Sequence, residues 1–131
     1  MTFERSRIMR AVKSRDTQPE KFVRRLAHAL GFRFRLHRKD LPGNPDLVFI
    51  RQRKVIFVHG CFWHGHGCAR GARVPKTNTD YWTAKVARNR KRDRKVATLL
   101  KNAGWKRLVI WECQTKNPEA VRAWIEAFLR N

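Results

Sequence analysis

The sequence predicts a mixed α/β (α+β) domain, one mixed central sheet flanked by helices. Three observations carry that expectation. Apolar residues change period along the chain in the order helix–strand–strand–strand–helix–strand–helix, the order of a layered sheet with helices packed on it. The chain has 131 residues, 42% of them apolar, enough to bury one core. No internal repeat, low-complexity tract or linker divides it, so residues 1–131 read as a single domain.

The opening "MTFERSRIMRAVKSR", residues 1–15, is a basic arm with some helical character. Asp16 or Thr17 can cap the next segment, with Pro19 and Glu20 in its first turn. Phe22, Val23, Leu26, Ala27 and Leu30 then recur at helical spacing up to Gly31. "FRFRL" (32–36) alternates like an amphipathic strand, and "HRKDLPGNP" has the composition of a loop. "DLVFI" and "KVIFVHG" are apolar runs of strand length joined through "RQRK" as a hairpin. A loop to about Asn78 leads into a long basic helix from Thr79 to Ala103, stopped by Gly104. "WKRLVIW" (105–111) is another strand. "NPEAVRAWIEAFLRN" is a last helix, capped by Asn117 with Pro118 in its first position. The strands around 46–50, ending at Val58 and ending at Trp111 are expected side by side.

Charge points to the partner. Thirty-one Lys and Arg stand against ten Asp and Glu, a net charge of +21. So large a surplus opposes compaction through self-repulsion, which makes a polyanion the expected partner. The basic residues run through the whole chain, predicting a broad phosphate-facing surface. A merely soluble cationic domain needs far less charge. No apolar run reaches the length of a membrane span and the amino terminus has no signal core, so no membrane partner is expected. An intracellular setting keeps thiols reduced, and three cysteines cannot pair evenly, so metal binding is their expected use.

"VHGCFWHGHGC", residues 58–68, holds three of the five histidines and two of the three cysteines. Structural zinc takes four ligands in a tetrahedron, commonly three Cys and one His. Cys61, Cys68 and Cys113 supply the thiolates, and the fourth ligand comes from His59, His64 or His66. His66 is preferred, because Cys61-x4-His66-x-Cys68 is a compact loop that Cys113 reaches from a distant strand. Three buried, unliganded thiols are the plain alternative.

Asp46 follows Pro45 and opens an apolar strand. A carboxylate held there suits a hard cation such as Mg²⁺, which neutralises charge during phosphodiester hydrolysis. Taken alone, Pro45-Asp46 is ordinary turn chemistry. The following strand, however, delivers His59 and His64 to the same neighbourhood. A neutral imidazole can take a proton from water: His64 is the candidate base and His59 a phosphate- or water-orienting partner.

"PGNPDLVF", "VHGCFWHGHGC", "TDYWTAKVARNRKRDRK", "GW" and "VIWEC", in this order, resemble the very short patch repair (Vsr) endonuclease family, over about residues 3–113. The resemblance implies a restriction-endonuclease-like fold and a bacterial, cytoplasmic, nucleoid-associated enzyme. It implies Mg²⁺-dependent nicking of double-stranded DNA beside the thymine of a T:G mismatch left by deamination of 5-methylcytosine. It also implies roles: Asp46 as catalytic aspartate and Mg²⁺ ligand, His64 as base, and His59 as second histidine. Asp93 would support a histidine, and Glu20 would be brought to the active site. Cys61, His66, Cys68 and Cys113 would be the structural Zn²⁺ ligands. Phe62, Trp63 and Trp82 match three rings that wedge into the duplex, where flat side chains offset lost base stacking. A wobble pair is already easier to distort.

Two features depart from the family pattern. Val58 stands where threonine is common, so a metal contact there must use the main-chain carbonyl. Gly65 and Gly67 replace histidines found in some relatives, which favours His66 as ligand. Arg7, Arg10 and Lys13 in the arm and Lys85, Arg88 and Arg90 in the long helix are the candidate phosphate contacts, with steep salt dependence. A monomer is expected, and repair partner proteins are left open. The rival functions are a nicking or restriction-type endonuclease of other specificity, and a non-catalytic zinc-containing DNA-binding module.

Overall fold

The computed structural model describes residues 17–36, 38–61, 66, 68 and 78–131. Thr17 caps the first helix, its Oγ1 accepting from Glu20 N at 3.4 Å, and Asp16, the other candidate cap, lies outside the described residues. Helix α1 spans Gln18–Ala29, and four strands follow: β1 (Arg35–Leu36), β2 (Leu47–Phe49), β3 (Lys54–His59) and β4 (Lys106–Trp111). Helix α2 (Thr79–Asn102) joins β3 to β4, and a 3₁₀ turn (Glu112–Lys116) leads into α3 (Pro118–Arg130). The side chain of Asn117 caps α3 at Ala120 N, 3.3 Å, with Pro118 behind it.

The sheet has the order β1-β2-β3-β4. The first two pairings are antiparallel, while β3 and β4 run parallel, as a helical crossover requires. The mixed α/β expectation is met, with the three long-range strands adjacent as expected. The near-continuous apolar run of β3 follows from cover on both faces. Leu47, Phe49, Ile56 and Ile110 pack against Val23 and Ala27 of α1 and Val121, Ile125 and Leu129 of α3. Val48, Val55 and Phe57 pack against Leu100 of α2. Ile56 is fully buried between the sheet and the first pair of helices, so Ile56→Ala should cost about 2–5 kcal/mol.

Two expectations shift. Of "FRFRL" only Arg35 and Leu36 pair, with Val48 and Leu47. Phe32 and Phe34 instead pack their rings on Phe49, with centroids 6.5 and 5.7 Å away. β2 is only three residues long, and ring burial replaces a longer ladder. The 3₁₀ turn after β4 was not foreseen, and it carries Cys113.

Gly43 fixes the loop ahead of β2. Its φ is +77°, and a Cβ there would stand 2.6 Å from Val96 Cγ1 and 3.2 Å from Phe57 Cε1. Only glycine lets the chain pass this close under α2 and turn into Pro45-Asp46.

Candidate functional site

The start of α1, the start of β2 and the end of β3 meet at one end of the sheet, outside the carboxyl ends of its parallel pair. Open α/β sheets bind ligands at this end. Asp46 Oδ2 accepts from Val58 N at 2.6 Å. Glu20, buried on the first turn of α1, faces the same carboxyl, and Arg24 Nη2 reaches Glu20 Oε2 at 3.3 Å. Burial pushes the Asp46 carboxyl up to about 7. The Val58 N–H works against that rise, the like charge and shared hydrogen bond of Glu20 reinforce it, and Arg24 relieves it in part. A buried acid whose charge is disfavoured, set beside a second acid, fits a small hard cation, which would restore Asp46 to its carboxylate. In an extended strand the N–H and C=O of one residue point the same way. The Val58 carbonyl therefore lies on the Asp46 side of β3, available as a third oxygen.

His59 ends β3 and is buried between the rings of Phe57 (5.6 Å) and Trp111 (5.1 Å). His64, the expected base, lies outside the described residues, as do Phe62, Trp63, Gly65 and Gly67 and the arm residues Arg7, Arg10 and Lys13.

Helix α2 has 24 residues against six in β3, about 36 Å against about 20 Å. Val96 and Leu100 hold its second half to Val55 and Phe57, so the first half projects past the His59 end of the sheet. Trp82, Val86, Asn89, Asp93 and Val96 recur at helical spacing as its half-buried stripe. Asp93 thus faces inward, toward the site end. Arg88 and Arg90 are exposed. At the tip, exposed Tyr81 meets Trp82 edge-on at 5.1 Å, and Lys85 Nζ lies 5.9 Å from each ring.

Beside this end lies a second cluster. One ligand atom from each of Cys61, His66, Cys68 and Cys113 falls within 4.8 Å of the others. His66 N donates to Cys61 O at 3.0 Å, closing the loop, and Cys113 N donates to Cys61 Sγ at 3.3 Å. Cys113 Sγ and His66 Nδ1 are 3.5 Å apart, close to the edge of about 3.6 Å that tetrahedral Zn–S and Zn–N bonds dictate. Burial pushes the Cys61 thiol up to about 12; the Cys113 N–H opposes this, and the neighbouring Cys113 and Cys68 thiols add to it. Thiolates here need a cation, and this donor set could hold one metal ion. The four residues chosen from the sequence are the four brought together.

Sequence reading missed three parts. Trp111 stacks on His66 at 4.2 Å and 15° and meets His59 edge-on, joining the cluster to the end of β3. Its partner in register is His59, and an aromatic ending a strand beside a His-bearing strand was the available signal. Gln114 holds the strand end, its Oε1 accepting from Trp111 N at 2.9 Å. Arg24 partners Glu20 one helical turn on, a spacing that was legible.

Among the described residues no helix is long and apolar enough to cross a membrane. The family model described as DNA mismatch endonuclease Vsr matches residues 2–70. The type II nicking enzyme V.XorIIP of Xanthomonas oryzae pv. oryzae is 52% identical over 124 residues, 95% of this chain and 88% of the relative. The type II nicking enzyme V.NmeAIP of Neisseria meningitidis is 41% identical over 129 residues, 98% and 91% of the two chains. DNA mismatch endonuclease Vsr of Escherichia coli is 44% identical over 115 residues, 88% of this chain and 73% of that one.

Proposed function

The chain belongs to the Vsr family of DNA endonucleases, and on that premise we propose that it nicks one strand beside the thymine of a T:G mismatch, with Mg²⁺ as catalytic cofactor. The observation carrying this reading is the buried Glu20–Asp46 pair set against Val58. Glu20, Asp46 and the Val58 carbonyl would hold the ion. When bound, Mg²⁺ supplies neutralisation of the phosphate charge that grows during hydrolysis. Asp46, anchored to the backbone of β3, fixes where the scissile phosphate sits. His64 takes the proton of the attacking water, His59 orients phosphate or water, and Asp93 supports a histidine.

Zn²⁺ at Cys61, His66, Cys68 and Cys113 ties the loop after β3 to the turn after β4, with a structural role. Trp82, with Phe62 and Trp63, wedges into the mismatched step. Arg7, Arg10, Lys13, Lys85, Arg88 and Arg90 hold phosphates, so affinity falls steeply with salt.

A second reading rests on two relatives: V.XorIIP, at 52% identity, and V.NmeAIP, at 41%, are both described as type II nicking enzymes. On that reading this chain nicks with another specificity. Nicking rates on otherwise identical T:G-containing and fully paired duplexes separate the two. A preference of at least a hundredfold for T:G is expected, and equal rates defeat the mismatch reading.

A further inference from the structure

The opposite end of the sheet carries a surface that nicking does not use. β4 is the last strand of the sheet, and among the described residues it pairs with β3 alone. Lys106 N donates to Arg53 O at 3.1 Å. By strand alternation Lys106, Leu108 and Ile110 turn their backbone groups toward β3, and Arg107 and Val109 turn theirs outward. Lys106 and Arg107 are exposed, Leu108 and Val109 half-buried.

A cleft opens there, lined from α2 by Thr98 and Lys101, from α3 by Phe128, and from the strand by Trp105, Lys106 and Arg107. Neighbours on a strand point to opposite faces. Because Lys106 and Arg107 both line it, the cleft straddles the strand edge. Three cations line it and, among the described residues, no acid does. Arg53 stands 5.3 Å over the Trp105 ring at the same end. Lys54 donates to Phe128 O at 2.5 Å, and burial, then repulsion by Lys106, lowers its ammonium pKa. Like charges are thus crowded around an unpaired backbone edge.

We propose that the outer edge of β4 docks an acidic, extended segment of a partner protein, added as a fifth strand. Strand addition satisfies the outward N–H and C=O groups of Arg107 and Val109, and alternate acidic side chains meet Lys101 and Arg107 on one face and Lys106 on the other. Charge on an edge strand also discourages edge-to-edge aggregation, but that purpose needs no cleft between two helices. Duplex DNA fits less well, since its phosphates offer no alternating donors and acceptors at strand spacing. The edge also begins about 17 Å from the His59–Trp111 end, so both surfaces can be occupied together. Nothing here depends on which mismatch is cut.

The test uses the full chain and a fluorescein-labelled decapeptide of repeated Glu-Glu-Val-Val, which puts acids on both faces of a strand, followed by anisotropy at physiological salt. Saturable one-to-one binding is expected, and it persists when a mismatched duplex is already bound. Lys101→Glu with Lys106→Glu weakens it at least tenfold, while Lys91→Glu with Arg92→Glu, an equal charge change on the exposed side of α2, weakens it less than twofold. Arg107→Pro, which deletes an outward N–H, weakens it at least fivefold more than Arg107→Ala. Single-turnover nicking by the Lys101/Lys106 variant at saturating enzyme stays within twofold of the parent. Displacement of the peptide by duplex, equal losses in the two double variants, equal losses at Arg107, or no saturable binding would each overturn the proposal.

Discussion

Two candidate cation sites sit side by side and are built in opposite ways. The cysteine–histidine cluster gathers soft donors, three from one loop and one from a distant turn, into a group whose ligand atoms lie within 4.8 Å of one another. The Glu20–Asp46 pair sets two hard acids against a backbone, with Arg24 on Glu20 and the Val58 N–H on Asp46. In both, burial raises the pKa of one ligand, Cys61 to about 12 and Asp46 to about 7, and a bound cation would lower it again. The difference is in what each can do. Four ligands would leave a zinc ion no open position, so it could only stabilise, whereas two carboxylates would leave a magnesium ion positions for phosphate and water.

The strongest break of this contrast is Asp46→Asn. We expect nicking to fall a thousandfold or more, about 4 kcal/mol in the barrier, with duplex affinity within threefold of the parent. Unchanged Mg²⁺-dependent nicking would end the assignment. Cys113→Ser should act on the other side of the comparison: loss of about one equivalent of zinc and about 3 kcal/mol of stability, read by metal analysis and thermal unfolding. Parent protein lacking zinc would refute the closed site.

Next comes a pH effect. An acid whose folded pKa is raised to about 7 keeps a proton that the unfolded chain releases near 4, so its contribution to stability is present at low pH and lost as pH rises through 7. In zinc-loaded, magnesium-free protein, Asp46→Asn should therefore be more stable than the parent by up to about 4 kcal/mol at pH 8, with the gap closing by pH 4. Mg²⁺ should reverse the order at pH 8. A gap independent of pH would remove the buried acid pair from the explanation. The smallest effect is expected for His66→Cys, below about 1 kcal/mol with metal retained, because zinc accepts four thiolates as readily.

The two sites were unequally legible in the sequence. Cys61, His66 and Cys68 are local in sequence, and Cys113 was the one thiol remaining, so ligand chemistry alone could assemble the set. Glu20 stands 26 residues before Asp46, and composition and spacing gave no reason to join them; only the family resemblance did. The helices were readable because Thr17, Asn117 and Pro118 are strong local signals. The extent of β1 was not, since it depends on how soon a three-residue partner runs out. The 3₁₀ turn bearing Cys113 rests on the Gln114 contact to Trp111, which no periodicity announces.

The bond from Val58 N to Asp46 has a further implication. Every residue but proline carries the same peptide N–H, so the orientation of the acid is insulated from the identity of any other side chain at position 58. Drift there leaves the chemistry intact, and that side chain is available to be chosen by the neighbouring core. Anyone redesigning this enzyme has a variable position one peptide bond from its reactive centre.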